Sequence, residues 1–209
     1  MKKVLLFVCV CAFPMMLTAQ YRWEVTGGLL FSEFKTDGFE ADSDIGYQVN
    51  AAYEYLLDER ARTGLVFSFE YLQRKSVLIP NVPLISNSTI ESSQFGFSPK
   101  FRVYFSKEIR PYLTVGPSFR INSKLELDGV EIESGGDADM MEMDSALPRK
   151  AEGILIGGVY GAGLVVNIGE RAFIMAEAGY MNDFTDNLEN VDSKFSDIYV
   201  RIGFRYRPR

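Results

Sequence analysis

The segment Ile198-Tyr199-Val200-Arg201-Ile202-Gly203-Phe204-Arg205-Tyr206, near the end of the 209-residue chain, alternates oily side chains with Tyr, Gly or Arg. A period of two is typical of a β-strand with one apolar face and one polar or small face. The pattern recurs in seven earlier stretches, and no stretch keeps the 3.6-residue period of an amphipathic helix. The chain is therefore predicted to be all-β with eight strands, at Tyr21–Ser32, Ile45–Leu57, Leu65–Tyr71, Gln94–Phe105, Leu113–Ile121, Gly153–Ile168, Ile174–Met181 and Ile198–Tyr206.

The connections between these strands alternate in length. Short ones are expected near Asp58–Thr63, Ser106–Glu108 and Gly169–Ala172, and long polar ones near Lys35–Asp44, Gln73–Ser92, Asn122–Glu152 and Thr185–Lys194. Outer-membrane barrels have this asymmetry, with short periplasmic turns and long extracellular loops. The predicted fold is an eight-stranded antiparallel up-and-down transmembrane β-barrel with short periplasmic turns and long extracellular loops.

Three features predict that the apolar face of the strands points outward. The apolar phase is almost free of charge, whereas the other phase holds nearly all of the strand charges. That second phase is rich in small residues, which suits the narrow lumen of an eight-stranded barrel. Bulky aromatics recur near both strand ends, as in aromatic belts at membrane interfaces. The alternative is a soluble periplasmic, lipocalin-like ligand-binding barrel whose apolar phase points inward.

The expected belts follow the strand ends. The lower belt comprises Tyr21, Trp23, Phe105, Phe204 and Tyr206, and the upper belt comprises Phe31, Tyr47, Tyr71, Phe95, Tyr180 and Phe184.

The first nineteen residues have the layout of a cleaved secretory signal peptide. A basic start at Lys2-Lys3 precedes an uncharged stretch from Val4 to Leu17, and small residues precede the expected cut between Ala19 and Gln20. The apolar stretch is too short to span a bilayer as a helix, which needs about 20 residues. The mature domain is then residues 20–209, exported to the outer membrane of a Gram-negative cell.

Both cysteines, Cys9 and Cys11, lie in this signal segment, so no disulfide is expected in the mature domain.

The ending Thr18-Ala19-Gln20, the stretch Pro111-Tyr112-Leu113-Thr114-Val115-Gly116-Pro117 and the closing Arg201–Tyr206 resemble the PorT-like group of small outer-membrane barrels of Bacteroidota. The resemblance covers the whole mature chain. It implies a β-barrel of the outer membrane, and the member that names the group is tied to protein secretion across that membrane. The aromatic-terminated last strand also resembles the signal that the barrel assembly machinery reads.

The charges of the polar phase are expected to meet inside the barrel. Counted up from the short-turn end, six of them fall at similar mid heights: Glu54, Glu70, Lys100, Arg102, Glu177 and Arg201. Near the bottom, Glu24 is expected to meet Arg201 or Arg205, because the first and last strands must pair to close the barrel. Charges in a dry interior need partners, so a salt-bridged structural plug is predicted.

Two sharper interpretations of the same charges stay open. One is a proton or ion path through the lumen. The other is a general acid and base pair among Glu54, Glu70 and Glu177.

Other stretches leave alternatives open. The acidic segment Asn122–Glu152 is expected to be a solvated loop, with Ca²⁺ binding as the alternative, and Asp144-Ser145-Ala146 within it resembles a short O-glycosylation motif. The apolar stretches Val77–Pro80 and Val82–Ile85 are expected to fold over the barrel mouth or to form a binding patch.

Two prolines interrupt the predicted strands. Pro99 and Pro117 fall in the lipid-facing phase, roughly opposite each other, where a shared bulge or kink is predicted.

The composition excludes several function classes. The chain has no histidine, which removes Ser-His-Asp and Cys-His sites and His-liganded zinc. Its net charge of −6 argues against a nucleic-acid partner. We therefore expect a non-enzymatic barrel without cofactor or metal. Its expected partners are outer-membrane lipid and the barrel assembly machinery during biogenesis, with an envelope protein as a further candidate. The alternative role is a component of a secretion or transport assembly.

Overall fold

The computed structural model describes residues 21–36, 39–58, 62–80, 88–105, 110–131, 153–188 and 192–208. Eight long strands run through them: β1 (Tyr21–Thr36), β2 (Phe39–Leu56), β3 (Thr63–Pro80), β4 (Ser88–Tyr104), β5 (Arg110–Leu127), β6 (Ile154–Asn167), β7 (Ala172–Asp183) and β8 (Ser193–Tyr206). A two-residue strand, Val130–Glu131, folds back onto the end of β5 through a turn at Asp128 and Gly129, both at positive φ.

The eight strands close into an antiparallel barrel. Every strand pairs with its neighbours in sequence, and β1 pairs with β8 from Trp23–Tyr206 to Thr36–Ser193. A walk across directly paired residues from Leu56 on β2 passes through all the strands and returns to β2 at Gly46, ten residues along. This stagger tilts the strands against the barrel axis, as closure of a barrel requires. The predicted fold class is confirmed.

The strands are longer than predicted at the elaborated end. They contain 12 to 18 residues, whereas about 9–11 tilted residues span a bilayer. The predicted long loop Lys35–Asp44 is wrong, because β1 continues to Thr36 and β2 begins at Phe39. Likewise β3 continues to Pro80, so the predicted loop from Gln73 is largely strand. These upper segments extend the barrel wall beyond the hydrocarbon core of a bilayer.

The apolar phase faces outward, as predicted. Phe101 is 41% exposed and Ile202 67%, whereas Glu54 and Arg102 are exposed by no more than 1%. Trp23, Phe105 and the other belt residues are exposed or half-exposed. Tyr47, Tyr71 and Phe95 of the upper belt lie in the middle of β2, β3 and β4, because these strands continue beyond their predicted ends. The barrel therefore presents an oily outer surface around a polar, charged interior.

Some glycines of the inward phase are required by close backbone approach as well as by the narrow lumen. A Cβ at Gly28 would collide with the Val200 carbonyl oxygen, and one at Gly203 would collide with the carbonyl oxygen of Val25. Both lie where β1 and β8 join, and such glycines let a sheet curve tightly enough to close.

Pro99 and Pro117 face each other across β4 and β5, as predicted, but no bulge lies between them. Phe97 pairs with Phe119 and Phe101 with Val115, so the register is the same on both sides of the prolines. The hydrogen-bonded ladder has a gap there, because neither of the two opposed prolines has a backbone N–H to donate. Neither strand needs an extra residue to accommodate this gap. The irregularity in this strand pair falls at Ser93–Gln94 instead.

Within the residues described, no helix is long and apolar enough to cross a membrane.

The charged lumen as candidate functional site

The barrel interior holds a large set of buried charges. In the part of the chain that the structure describes, six carboxylates and seven cationic side chains are buried: Glu24, Glu54, Glu70, Glu177, Asp183, Asp197, Arg22, Arg74, Lys100, Arg102, Arg120, Arg201 and Arg205. All eight residues predicted from the sequence are among them. They are supplied by the inward phase of seven strands and divide into a lower and an upper group.

The bottom of the lower group is a network around two glutamates. Arg205 Nη2 lies 2.6 Å from Glu24 Oε1, and Arg102 contacts the same carboxylate through Nη1 and Nη2 at 2.5 and 3.2 Å. Glu54 accepts from Arg22 at 3.2 Å and from Arg102 at 3.4 Å. Of the two partners predicted for Glu24, the structure selects Arg205, which stands directly opposite it on the neighbouring strand.

Glu177 has the most complete set of partners. Its Oε1 accepts from Arg201 Nη2 at 2.5 Å and from the Tyr199 hydroxyl at 2.7 Å, while Oε2 accepts from the Tyr112 hydroxyl at 2.7 Å. Arg102 Nη2 approaches Oε2 at 3.7 Å and so links this carboxylate to the Glu24 network. Charge-assisted hydrogen bonds of this kind hold a buried carboxylate in its ionised form.

The last pair of the lower group joins adjacent strands. Lys100 Nζ donates to Glu70 Oε1, and both side chains are inaccessible to solvent. Lys100 and Arg102 thus engage different carboxylates although they are two residues apart on β4.

The upper group was not predicted from the sequence. Arg74 bridges two aspartates, with Nη1 2.8 Å from Asp183 Oδ2 and Nη2 2.6 Å from Asp197 Oδ2. Arg120 donates to Asp183 as well, and Asn187 reaches in from the β7–β8 connection to donate to the same carboxylate at 3.1 Å.

An apolar layer separates the two groups. On β3 the inward residues run Glu70, Leu72, Arg74, and on β8 they run Arg201, Tyr199, Asp197. Leu72 and Tyr199 belong to a buried cluster with Leu30, Val159 and Met181. The layer is incomplete at Arg120, because Arg120 of the upper group and Glu70 of the lower group both pair with Gly96 on β4.

The mouth above the upper group is filled by a second apolar cluster. It consists of Phe34, Leu78, Ile90, Leu125, Leu188 and Phe195, all at most 6% exposed. Leu78 belongs to the stretch Val77–Pro80, which is therefore part of β3 with an inward, buried leucine. The companion stretch Val82–Ile85 lies outside the residues that the structure describes.

The buried acidic and basic side chains of the lumen neutralise one another. The six buried carboxylates all have a cationic partner within 4 Å. In the described residues, no group of three or more His, Cys, Asp or Glu side chains is placed to hold a metal ion. Most of the acidic segment 122–152, with Asp144-Ser145-Ala146, lies outside the described residues.

The residues missed from the sequence carry a weak signal. Arg120 already lies in the inward phase of the predicted strand Leu113–Ile121. Arg74 is in phase with Glu70, so extending the inward phase into the predicted loop would have reached it. The pattern is hard to see there because the inward phase itself becomes apolar at Leu72 and Leu78.

Comparison with known proteins shows the fold. No protein-family model matches the chain. No curated protein sequence matches it. Among solved structures, Neisserial surface protein A is 14% identical with a TM-score of 0.50, covering 89% of this chain and 97% of its own.

Two further solved structures are similar at lower TM-scores. OprG of Pseudomonas aeruginosa is 13% identical with a TM-score of 0.49, covering 91% of this chain and 97% of that one. Ail, the attachment invasion locus protein of Yersinia pestis, is 16% identical with a TM-score of 0.46, covering 90% and 99%. The chain has the fold of the small eight-stranded barrels of bacterial outer membranes.

Proposed function

We propose that this protein is a non-enzymatic outer-membrane barrel that anchors a closed scaffold in the membrane and presents its loops at the cell surface. One observation carries the proposal: the lumen is filled by buried salt bridges and by buried apolar clusters. A lumen packed in this way acts as a plug, since water and ions would have to displace buried salt bridges and buried leucines.

The outer surface supports the membrane location. Large exposed apolar side chains cover the strands on all sides, including Val25, Phe69, Ile121 and Ile202 at 58–67% exposure. A soluble barrel would hold these groups inside, and a soluble protein rarely exposes so large an apolar surface. Export by a signal peptide over residues 1–19, which lie outside the described residues, belongs to the same proposal, as does assembly by the barrel machinery.

The upper wall supports the presenting role. β1 to β5 continue beyond the hydrocarbon core of the bilayer, and the apolar cluster around Phe34 gives this extension a hydrophobic core of its own. Loops mounted on such a rigid wall are held in place for adhesion or for an envelope protein partner. The resemblance to the PorT-like group supports a second role, as a component of a secretion or transport assembly.

Planar-bilayer recording tests the plug. Protein whose insertion has been verified by protease protection should give no large steady current. A large steady current from verified insertions would contradict the closed lumen and favour an ion path.

Cell fractionation followed by cross-linking in intact outer membranes tests the location and the second role. Recovery in the soluble periplasmic fraction would overturn the membrane proposal. Specific cross-links to secretion components would favour the assembly role over the scaffold role.

A further inference from the structure

A polar cleft lies on the outward face of the barrel at its elaborated end, where β1, β7 and β8 meet. Its volume is about 420 Å³, and its lining includes Lys35, Tyr180, Asn182, Asp192, Lys194 and Ser196. Ser196 and Asn182 form its floor, where the Ser196 hydroxyl lies 3.1 Å from Asn182 Oδ1.

Two lysines on adjacent strands line this cleft. Lys35 on β1 and Lys194 on β8 are directly paired across the strands, an arrangement of like charges that destabilises a sheet. Lys35 is 60% exposed in its side chain, and its ion-pair contact among the described residues is with Glu33 on its own strand, at 3.9 Å. An anion between the two ammonium groups would remove their repulsion.

The height of the cleft indicates where such an anion comes from. Tyr180 and Ile198, directly paired and both exposed on the apolar surface, lie just below it. Lys194 lies above Ile198 on the same outward face of β8, with Ser196 between them, and Lys35 is paired with Lys194 at the same height on β1. Basic side chains just beyond an aromatic belt lie at the height of lipid headgroups.

We propose that this cleft binds the phosphate-monoester headgroup of an anionic lipid in the leaflet at the loop end of the barrel, between Lys35 and Lys194. The proposal rests on the membrane location proposed above. The polar floor leaves room for the headgroup, and the apolar surface below it accepts the acyl chains.

The acidic neighbours of Lys194 predict in which direction a substitution should change lipid binding. Its Nζ lies 2.7 Å from Asp192 and 3.4 Å from Asp186, and the Asp192 side chain is 65% exposed. A phosphate monoester, such as that of phosphatidic acid, carries more charge than one carboxylate and offers more acceptor oxygens, so it competes with Asp192 for this lysine. Asp192→Asn should therefore strengthen lipid binding, whereas loss of either lysine should weaken it.

The experiment uses the full mature chain folded in phosphatidylcholine nanodiscs with and without phosphatidic acid as the probe lipid. Native mass spectrometry measures how much phosphatidic acid stays bound. Lys35→Gln and Lys194→Gln should each weaken retention about fivefold, as expected for one basic side chain at an anionic surface. The matched control is Lys75→Gln, an outward lysine of β3 held between Asp44 and Glu91 at 3.6 and 3.3 Å.

The outcomes separate the inference from the membrane proposal. Failure to insert into pure phosphatidylcholine would overturn the membrane location itself. If insertion succeeds but all three lysine variants lose retention equally, the attraction is a general surface effect and the cleft is not a site. If inorganic phosphate alone displaces the bound phosphatidic acid, the cleft is a site for free anions and the lipid assignment is overturned.

Discussion

Single residues of the lumen show how charge is tolerated inside this barrel. Glu177 receives hydrogen bonds from one arginine and two tyrosines, so its two oxygens are fully engaged. Tyr112 and Tyr199 were not predicted as partners, because an aromatic in the inward phase is indistinguishable from core packing in a sequence. Their hydroxyls matter because a buried carboxylate needs donors beyond a single cation.

Glu177→Gln should destabilise the barrel by about 3–5 kcal/mol, because it leaves Arg201 buried without its charge partner. Urea unfolding in lipid vesicles measures the change. The matched control is Glu126→Gln, a partly exposed carboxylate 2.5 Å from Lys124. It should cost about 0–1 kcal/mol, and equal losses from the two variants would contradict the buried network.

Gly203→Ala should destabilise the barrel by at least about 1–3 kcal/mol, because the new methyl group would strike the Val25 carbonyl. Gly169→Ala is the control, since nothing lies within 4 Å of a Cβ at that position. The folding of both variants is measured by the difference in gel migration between unheated and heated samples. A folded, unperturbed Gly203→Ala barrel would show that β1 and β8 do not approach this closely.

At the scale of elements, the strand ends show what a period-two pattern reveals and what it hides. The pattern located all eight strands, but it ended β1 at Ser32 and β3 at Tyr71, several residues early. On β3 the inward residues Leu72 and Leu78 are apolar because they pack in the upper lumen. On β1 the inward Phe34 lies between the outward charges of Glu33 and Lys35, so the polarity of the two phases is reversed. A period-two pattern is hard to recognise where the inward residues become apolar and the outward residues become polar.

The β2–β3 turn is organised by Asp58. Its Oδ1 accepts the backbone N–H of Arg62 at 2.7 Å and that of Thr63 at 2.9 Å. The hydrogen bond from the Thr63 N–H is the main cause that lowers the pKa of Asp58, with Arg62 adding to it. A lowered pKa means that the ionised carboxylate stabilises the folded turn.

Asp58→Asn should therefore remove part of the pH dependence of unfolding. The stabilisation by Asp58 is present above the ordinary aspartate pKa and is lost as the pH falls through the lower pKa of the folded state. Unfolding free energies of the wild type and the variant, measured across acidic pH, should converge as the pH drops. Parallel curves would contradict the role of this carboxylate.

At the scale of the whole molecule, apolar side chains face outward and charged side chains face inward, which is the reverse of a soluble protein. Exposed Val200 and Ile202 alternate with buried Arg201 and Tyr199 on β8. This orientation followed from the sequence, because only the outward phase was almost free of charge. Of the partners of Glu24, Arg205 followed from the pairing of the first and last strands. Arg102 did not follow, since it meets Glu24 across the lumen only through the ten-residue stagger of the closed sheet.

Val200→Arg should block or weaken insertion, at a cost of about 2–4 kcal/mol in the middle of the apolar surface. Gln73→Arg is the control, an outward position on β3 above Tyr71 and so beyond the upper aromatic belt. Folding yield into vesicles measures both. Equal yields would contradict the placement of the membrane around the barrel.

The pairing of β1 with β8 constrains the order of events during biogenesis. Glu24 depends on Arg102 and Arg205, which lie 78 and 181 positions later in the chain. An early hairpin inserted by itself would carry an uncompensated charge into the hydrocarbon. The edge of β1 has no partner until β8 is present. Chains truncated before β8 should therefore accumulate as uninserted intermediates rather than as smaller barrels.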